Sequence, residues 1–195
     1  MNKGLNNLLK VGILSCYQPF LMAQNNNQQE LVNCETYQAM TAPEIISEYG
    51  SGRRNFDCVS LPIQTNFQYR NEDVSFVNQN LSEASFRGSK LDHANFDGAR
   101  LGSVDFSNAS LTNSLLAVNA SPNESEEVTS FYNSNLESSR LKGNFNHAHF
   151  SYASLENASL NEAFFSHANF DGAKLSEANT FPDDIGSLIC TNFTE

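Results

Sequence analysis

Large apolar side chains recur at every fifth position between residues 74 and 178. The period holds through the first nine members, resumes after an interruption, and loses one residue between Leu141 and Phe145. The ladder consists of Phe76, Leu81, Phe86, Leu91, Phe96, Leu101, Phe106, Leu111, Leu116, Phe131, Leu136, Leu141, Phe145, Phe150, Leu155, Leu160, Phe165, Phe170 and Leu175. A short fixed period of this kind is typical of repeat architectures.

The period excludes an α-helix as the repeated element. A step of five residues advances about 140° around a helix axis, so the ladder would scatter over every face. Two positions before most ladder residues stands a small residue, as Ala94 stands before Phe96. In an extended chain both side chains point to the same face. The next inward residue comes three positions later, so the chain must turn once in every repeat, and the pattern predicts a solenoid.

The repeats resemble those of the pentapeptide-repeat proteins, whose motif is a small residue, a polar residue, Leu or Phe, and two polar residues. Residues 94–98 (ANFDG) and 168–172 (ANFDG) fit it at every position. The resemblance covers the nineteen ladder repeats. It implies an all-β solenoid, a right-handed quadrilateral β-helix with four repeats per coil. About five coils would make a rod about 24 Å long at the spacing of neighbouring strands.

Both flanks of the repeat region have the character of end caps, which a solenoid needs to cover its open coils. Thr41 and Glu44 form a capping-box pattern before Ile45, which predicts a short helix ending near Gly50. The apolar positions within residues 182–189 predict a second helix. The resemblance implies that two copies could dimerise through an end cap, and the alternative is that this helix covers its own coil. The expected organisation is a signal peptide (1–23), a cap with a degenerate first coil (24–73), the repeats (74–178) and a C-terminal cap (179–195).

The stretch 119–128 interrupts the ladder and predicts a loop that leaves the coil. It carries Glu124, Glu126 and Glu127. Loops on rigid scaffolds often carry function, so these acids are a candidate partner contact, although a neutral surface insertion is the favoured interpretation. The residue lost between Leu141 and Phe145 should distort one corner, where Gly143 supplies the conformational freedom.

The N-terminal segment has the pattern of a secretory signal peptide. Lys3 and Lys10 precede or border an apolar run over residues 11–22, and Ala23 provides a small residue for cleavage. The run is too short to span a membrane. Two alternatives remain: a cap-forming or disordered N-terminus, and a lipoprotein-type cleavage before Cys16. The pattern predicts export to the periplasm or the medium, with a cytoplasmic location as the alternative.

Cys34 and Cys58 lie in the same short region before the repeats. In an oxidising compartment they could form a disulfide that closes a loop of about 25 residues and contributes about 3 kcal/mol. The alternative is that all four cysteines are reduced and behave as small apolar residues.

Composition and charge narrow the choice of partner. The chain has 22 acidic and 11 basic residues, a formal net charge of −11, and 26 Asn and 24 Ser. This balance repels phosphate, so a nucleic acid is not an expected partner.

The sequence contains no motif that indicates catalysis, and we predict neither an enzyme nor a bound cofactor. No G-x-S-x-G pattern frames a serine. His147 and His167 are twenty residues apart, so a coil of four repeats would stack them about 5 Å apart on the outer surface. They could share a metal ion, but no third ligand is evident and a histidine ladder on a polar face is favoured.

These observations predict an exported, non-catalytic scaffold that binds another protein. The resemblance also implies a second possibility, a cytoplasmic protein that mimics DNA and protects or inhibits DNA gyrase. The count of 12 acids and 6 bases within residues 74–178, a net charge of −6, argues against a continuous anionic stripe. A secreted effector that acts in a host cell is the third possibility.

Overall fold

The computed structural model describes residues 32–62, 72–118 and 128–179. The predicted signal peptide, the loop acids and the predicted C-terminal helix lie outside these residues. The regular elements are β1 (Gln38–Ala39), α1 (Ala42–Gly50), β2 (Val59–Ser60), a 3₁₀ helix (Glu72–Val74), β3 (Leu115–Val118), β4 (Arg140–Asn144) and β5 (Ser159–Phe164).

Helix α1 forms where the capping pattern predicts a short helix, and it packs against the repeats. The Thr41 side chain accepts a hydrogen bond from the Glu44 backbone N–H, while the Glu44 carboxylate accepts from the Thr41 backbone N–H at 2.7 Å. Ile45 is completely buried. The Tyr49 hydroxyl donates to the Ser82 carbonyl at 2.9 Å and so ties the helix to the repeats.

The repeats stack through parallel β-bridges between positions one coil apart. Ser85 pairs with Asp105 and Lys90 with Ser110, a spacing of twenty residues or four repeats. Most sides of the coil contribute one bridging residue instead of a strand, because the chain turns after every fifth residue. Within the described part of the chain, the longer strands β3, β4 and β5 lie on one side and pair in parallel in that order.

Bridges on either side of the two irregularities show how the coil accommodates them. Asp105 pairs with Ser130, so the coil that contains the interruption is longer by five residues. Ser130 pairs with His149, nineteen residues on, and His149 pairs with Asn169, which restores the spacing of twenty. The register shifts between Arg140 and Lys142, where a β-bulge absorbs the lost residue.

The ladder residues fill the interior. All of them are buried except Leu175, which is partly buried and packs against the core in the last described coil. One column of the coil is phenylalanine throughout, with successive ring centroids 4.7 to 5.5 Å apart. Its members are Phe56, Phe86, Phe106, Phe131, Phe150 and Phe170.

The corners explain why asparagine is so frequent. Almost every described repeat has a positive φ two residues after the ladder position, a conformation that Asn and Gly tolerate best. One position before the ladder residue, an Asn side chain often accepts a hydrogen bond from the backbone N–H two residues on, as Asn95 does from Asp97 at 2.9 Å. Gly143 has φ +94°, and a Cβ there would lie only 2.2 Å from the Val118 carbonyl oxygen.

Candidate functional site: the outer surface of the coil

The packed interior places the candidate site on the outside of the coil. We consider the side of the coil whose inward residues form the phenylalanine column. Its outward positions carry mostly polar side chains. In its last described coils this side carries a cluster of Tyr132, His149, Ser151, Tyr152 and Asp171, which we call the tyrosine–histidine cluster. Tyr152 is 58% exposed, the largest exposure among the large apolar side chains of the described residues.

Ring contacts hold the cluster together. The Tyr132 and Tyr152 rings meet edge to face, with centroids 5.7 Å apart and an interplanar angle of 80°. The Tyr132 ring also lies 5.9 Å from the imidazole of His149. The Tyr152 ring lies against Gly172, where a Cβ would come within 2.6 Å of the ring. A glycine at this corner therefore allows the tyrosine to lie close to the coil.

His149 is the electrostatic centre of the cluster. Its Nε2 and the Ser151 hydroxyl share a hydrogen bond of 3.0 Å, and Ser151 is almost completely buried. Burial lowers the pKa of His149, and the carboxylates of Asp171 and Asp105 oppose this effect. The neutral imidazole is therefore favoured.

The Asp171 carboxylate lacks a donor among the described residues. Its Oδ1 is buried and has no hydrogen-bond partner, although the backbone N–H of Asp171 donates to the Asn169 side chain at 2.8 Å. A buried carboxylate oxygen without a donor is unfavourable, because desolvation is then not compensated.

His147 and His167 lie where the spacing of twenty places them. Their imidazoles stack with centroids 5.1 Å apart and an interplanar angle of 15°, and both side chains are exposed. Within residues 32–62, 72–118 and 128–179, no group of three or more His, Cys, Asp or Glu side chains is arranged to hold a metal ion. The pair is a stacked histidine ladder on the surface.

A charged group lies on the side formed by β4 and β5. Glu162 accepts a hydrogen bond from Arg140 at 2.7 Å and forms an ion pair with Lys142. Hydrogen bonds from Lys142 and Arg140 lower the pKa of Glu162. Phe164, at the end of β5, is 53% exposed. This surface therefore combines paired charges with an exposed aromatic ring.

Cys34 and Cys58 form a disulfide, with their Cα atoms 5.6 Å apart. The bond attaches the segment before β1 to the first coil, next to the parallel pair of β1 and β2. The predicted partner acids Glu124, Glu126 and Glu127 lie outside the described residues. No described helix is long and apolar enough to cross a membrane.

Sequence reasoning missed the tyrosine–histidine cluster, although the signal was present. Tyr132 and Tyr152 are twenty residues apart, the same spacing as His147 and His167. The coil between the tyrosines is one residue short, so Ser151 lies directly below Tyr132 and Tyr152 lies one position beyond it. The cluster can be predicted from the sequence only when the residue lost between Leu141 and Phe145 is taken into account in aligning the coils.

Comparisons with known proteins agree with this architecture. The family model for pentapeptide repeats matches eight copies, over residues 75–116 and 144–179. No characterised protein matches the sequence at a significant level.

Three solved structures are among those that match this chain. Alr5209, a pentapeptide repeat protein from Nostoc Pcc 7120, has 18% identity and a TM-score of 0.37, and the match covers 82% of this chain and 100% of that one. The plasmid-mediated fluoroquinolone resistance protein QnrB1 has 10% identity and a TM-score of 0.38, with 72% and 82% covered. A pentapeptide repeat protein from the thylakoid lumen of Arabidopsis thaliana has 21% identity and a TM-score of 0.27, with 58% and 70% covered.

Proposed function

Because the chain belongs to the pentapeptide-repeat family, we propose that it is an exported, non-catalytic, rigid scaffold that binds another protein through its outer surface. In this proposal, residues 1–23 are a signal peptide that is removed on export. The mature protein is a right-handed quadrilateral β-helix of about five coils, closed at each end by a short helical cap. Function then lies in the side chains on its faces.

The disulfide is the observation that carries the export proposal. Disulfides persist in oxidising compartments such as the periplasm and the extracellular space, and they are rare in the reducing cytosol. Here the bond attaches the N-terminal cap, which covers the strand edge of the first coil. Reduction in the cytosol would remove this covalent link, so the arrangement suits a protein that functions outside the cytosol.

Exposed aromatic side chains support the binding part of the proposal. Tyr152 and Phe164 project from a coil whose other outward residues are mostly Ser, Asn, Asp and Glu. Tyrosine and phenylalanine are enriched in protein–protein interfaces, where they contribute much of the binding energy. A rigid coil presents them with little loss of conformational entropy on binding.

A cytoplasmic protein that mimics DNA is the second candidate, and the net charge of −11 is the observation in its favour. Two features weigh against it. Arg140 and Lys142 lie among the acids and pair with Glu162, so the negative potential is interrupted on that side. The disulfide also suits an oxidising compartment better than the cytosol.

Photocrosslinking in the native host tests the binding proposal. A benzophenone amino acid replaces Tyr152 or Phe164, and a matched control places it at Asn157, an exposed corner residue with a positive φ like that of Tyr152. We expect a discrete adduct with one other protein from Tyr152 or Phe164 and none from Asn157. Absence of any adduct from both aromatic positions, or equal adducts from all three, would contradict the proposal.

A further inference from the structure

The tyrosines of the N-terminal cap are covered by cations of the chain itself. The Arg54 guanidinium lies 3.8 Å from the centroid of the Tyr49 ring, and the Lys90 ammonium lies 4.0 Å from that of Tyr37. Each is a cation–π contact. In contrast, no cation of the described residues lies over Tyr132 or Tyr152.

The cap also contains a cation that contacts an aromatic ring and a carboxylate at the same time. Arg53 lies 4.7 Å from the Phe56 ring and forms an ion pair with Glu48. A guanidinium can do both at once, because its plane stacks on a ring while its edge donates to a carboxylate. An ammonium lacks this planar geometry.

The tyrosine–histidine cluster offers the same two groups without the cation. Tyr152 lies above Gly172 in the next coil, and Asp171 precedes Gly172 in the chain. The Tyr152 backbone N–H donates to the Asp171 carbonyl at 2.8 Å. The Tyr152 ring is exposed, and Oδ1 of the Asp171 carboxylate is buried without a hydrogen-bond donor among the described residues. His149 adds no positive charge while it is neutral. An exposed aromatic ring next to a carboxylate, in an acidic protein, is complementary to a cationic side chain of a partner.

We propose that the surface formed by Tyr132, Tyr152 and Asp171 binds an arginine side chain of a partner protein. The guanidinium stacks on the exposed Tyr152 ring and donates to the Asp171 carboxylate, and Tyr132 orients Tyr152 through their edge-to-face contact. This inference deepens the proposed protein-binding function and rests on it for its biological meaning. The chemistry itself can be tested without the partner.

The test is an NMR titration of the isotope-labelled, oxidised protein with three five-residue peptides. The first has one central arginine between glycine and serine residues, the second has lysine there, and the third has citrulline, the neutral isostere of arginine. We expect amide shifts centred on residues 132, 152 and 171 with the arginine peptide, weaker shifts with lysine and none with citrulline. Peptide at about 10 mM would detect even millimolar affinity.

Two variants establish the site. Tyr152→Asn keeps a residue that tolerates the positive φ, and Asp171→Asn keeps the shape of the side chain. Each should weaken arginine binding about tenfold, since each removes a charge-dependent contact. The control is His167→Asn. His167 is an exposed corner residue one coil below His147, on the side of the coil adjacent to the one that carries Tyr152, so this variant should leave the affinity unchanged. Both variants should retain the circular dichroism spectrum of the parent.

The proposal is overturned if the arginine peptide causes no shifts at the highest concentration, if the shifts centre elsewhere, if citrulline binds equally well, or if Asp171→Asn binds unchanged. These outcomes are separate from failure of the proposed function. Adducts from Phe164 with no arginine binding at Tyr152 would leave the scaffold proposal standing and remove only this site.

Discussion

Replacing Phe131 by alanine removes a ring from the middle of the phenylalanine column. Phe131 is completely buried and stacks between Phe106, with centroids 5.3 Å apart, and Phe150, with centroids 4.7 Å apart. Truncation of a buried phenylalanine to alanine costs about 3–5 kcal/mol. The loss of two stacked pairs places this site at the upper end, so we expect the free energy of unfolding to fall by about 5 kcal/mol.

The matched variant is Phe131→Leu. Leucine occupies the ladder position in the opposite column, at Leu116 and Leu141, directly after Phe76 and Phe96 in the same column. The coil therefore accommodates either side chain, and the leucine variant should lose only about 1–2 kcal/mol.

Urea denaturation of the oxidised protein, followed by circular dichroism and analysed by linear extrapolation, measures both variants. A loss below about 2 kcal/mol for Phe131→Ala would mean that the ring is not fully packed in the folded state. An equal loss for the leucine and alanine variants would mean that cavity volume does not determine the cost. Either result would refute the stacked interior.

Three further predictions test other features. Gly143→Ala should destabilise the protein by about 2–4 kcal/mol in the same urea assay, because a Cβ there meets a backbone oxygen at a positive φ, whereas Gly102→Ala, where the nearest atom is a side-chain oxygen at 3.7 Å, should be close to neutral. Replacing Cys34 and Cys58 by serine should cost about 3 kcal/mol, and reduction of the parent should reproduce that loss. Because the pKa of His149 is lowered in the folded protein, the unfolded chain protonates this imidazole first as the pH falls. The stability that the neutral His149 contributes is therefore complete above about pH 6.5 and is lost on further acidification. The melting temperature of His149→Gln should fall less between about pH 7 and 5 than that of the parent, and an equal fall would contradict the assignment.

The five-residue period was sufficient to predict the interior. The prediction used only two facts: an extended chain places alternate residues on one face, and large apolar residues such as Phe96 and Phe170 must be buried. The four-repeat coil was not derivable in the same way, because a five-residue period alone does not say how many turns close a coil. The resemblance supplied that number, and the bridges between positions such as Ser85 and Asp105 are consistent with it.

The candidate site was harder to predict because it depends on register between coils. The stacked pair of His147 and His167 follows from a simple count of twenty, since no irregularity lies between them. Tyr132 and Tyr152 span the shortened repeat, and their contact is diagonal. The cation–π contacts of the cap were also invisible in the sequence, because Tyr37 and Lys90 lie far apart in the chain and meet only after the first coils stack.

The most direct test of the central claim is intact-mass spectrometry of the protein from host cells fractionated into cytoplasm, envelope and medium, with and without reduction. The account predicts an exported species that begins near Gln24 and gains the mass of two hydrogens when the Cys34–Cys58 bond is reduced. A full-length, reduced chain confined to the cytoplasm would contradict export and favour the DNA-mimicking alternative, with gyrase binding as the next assay.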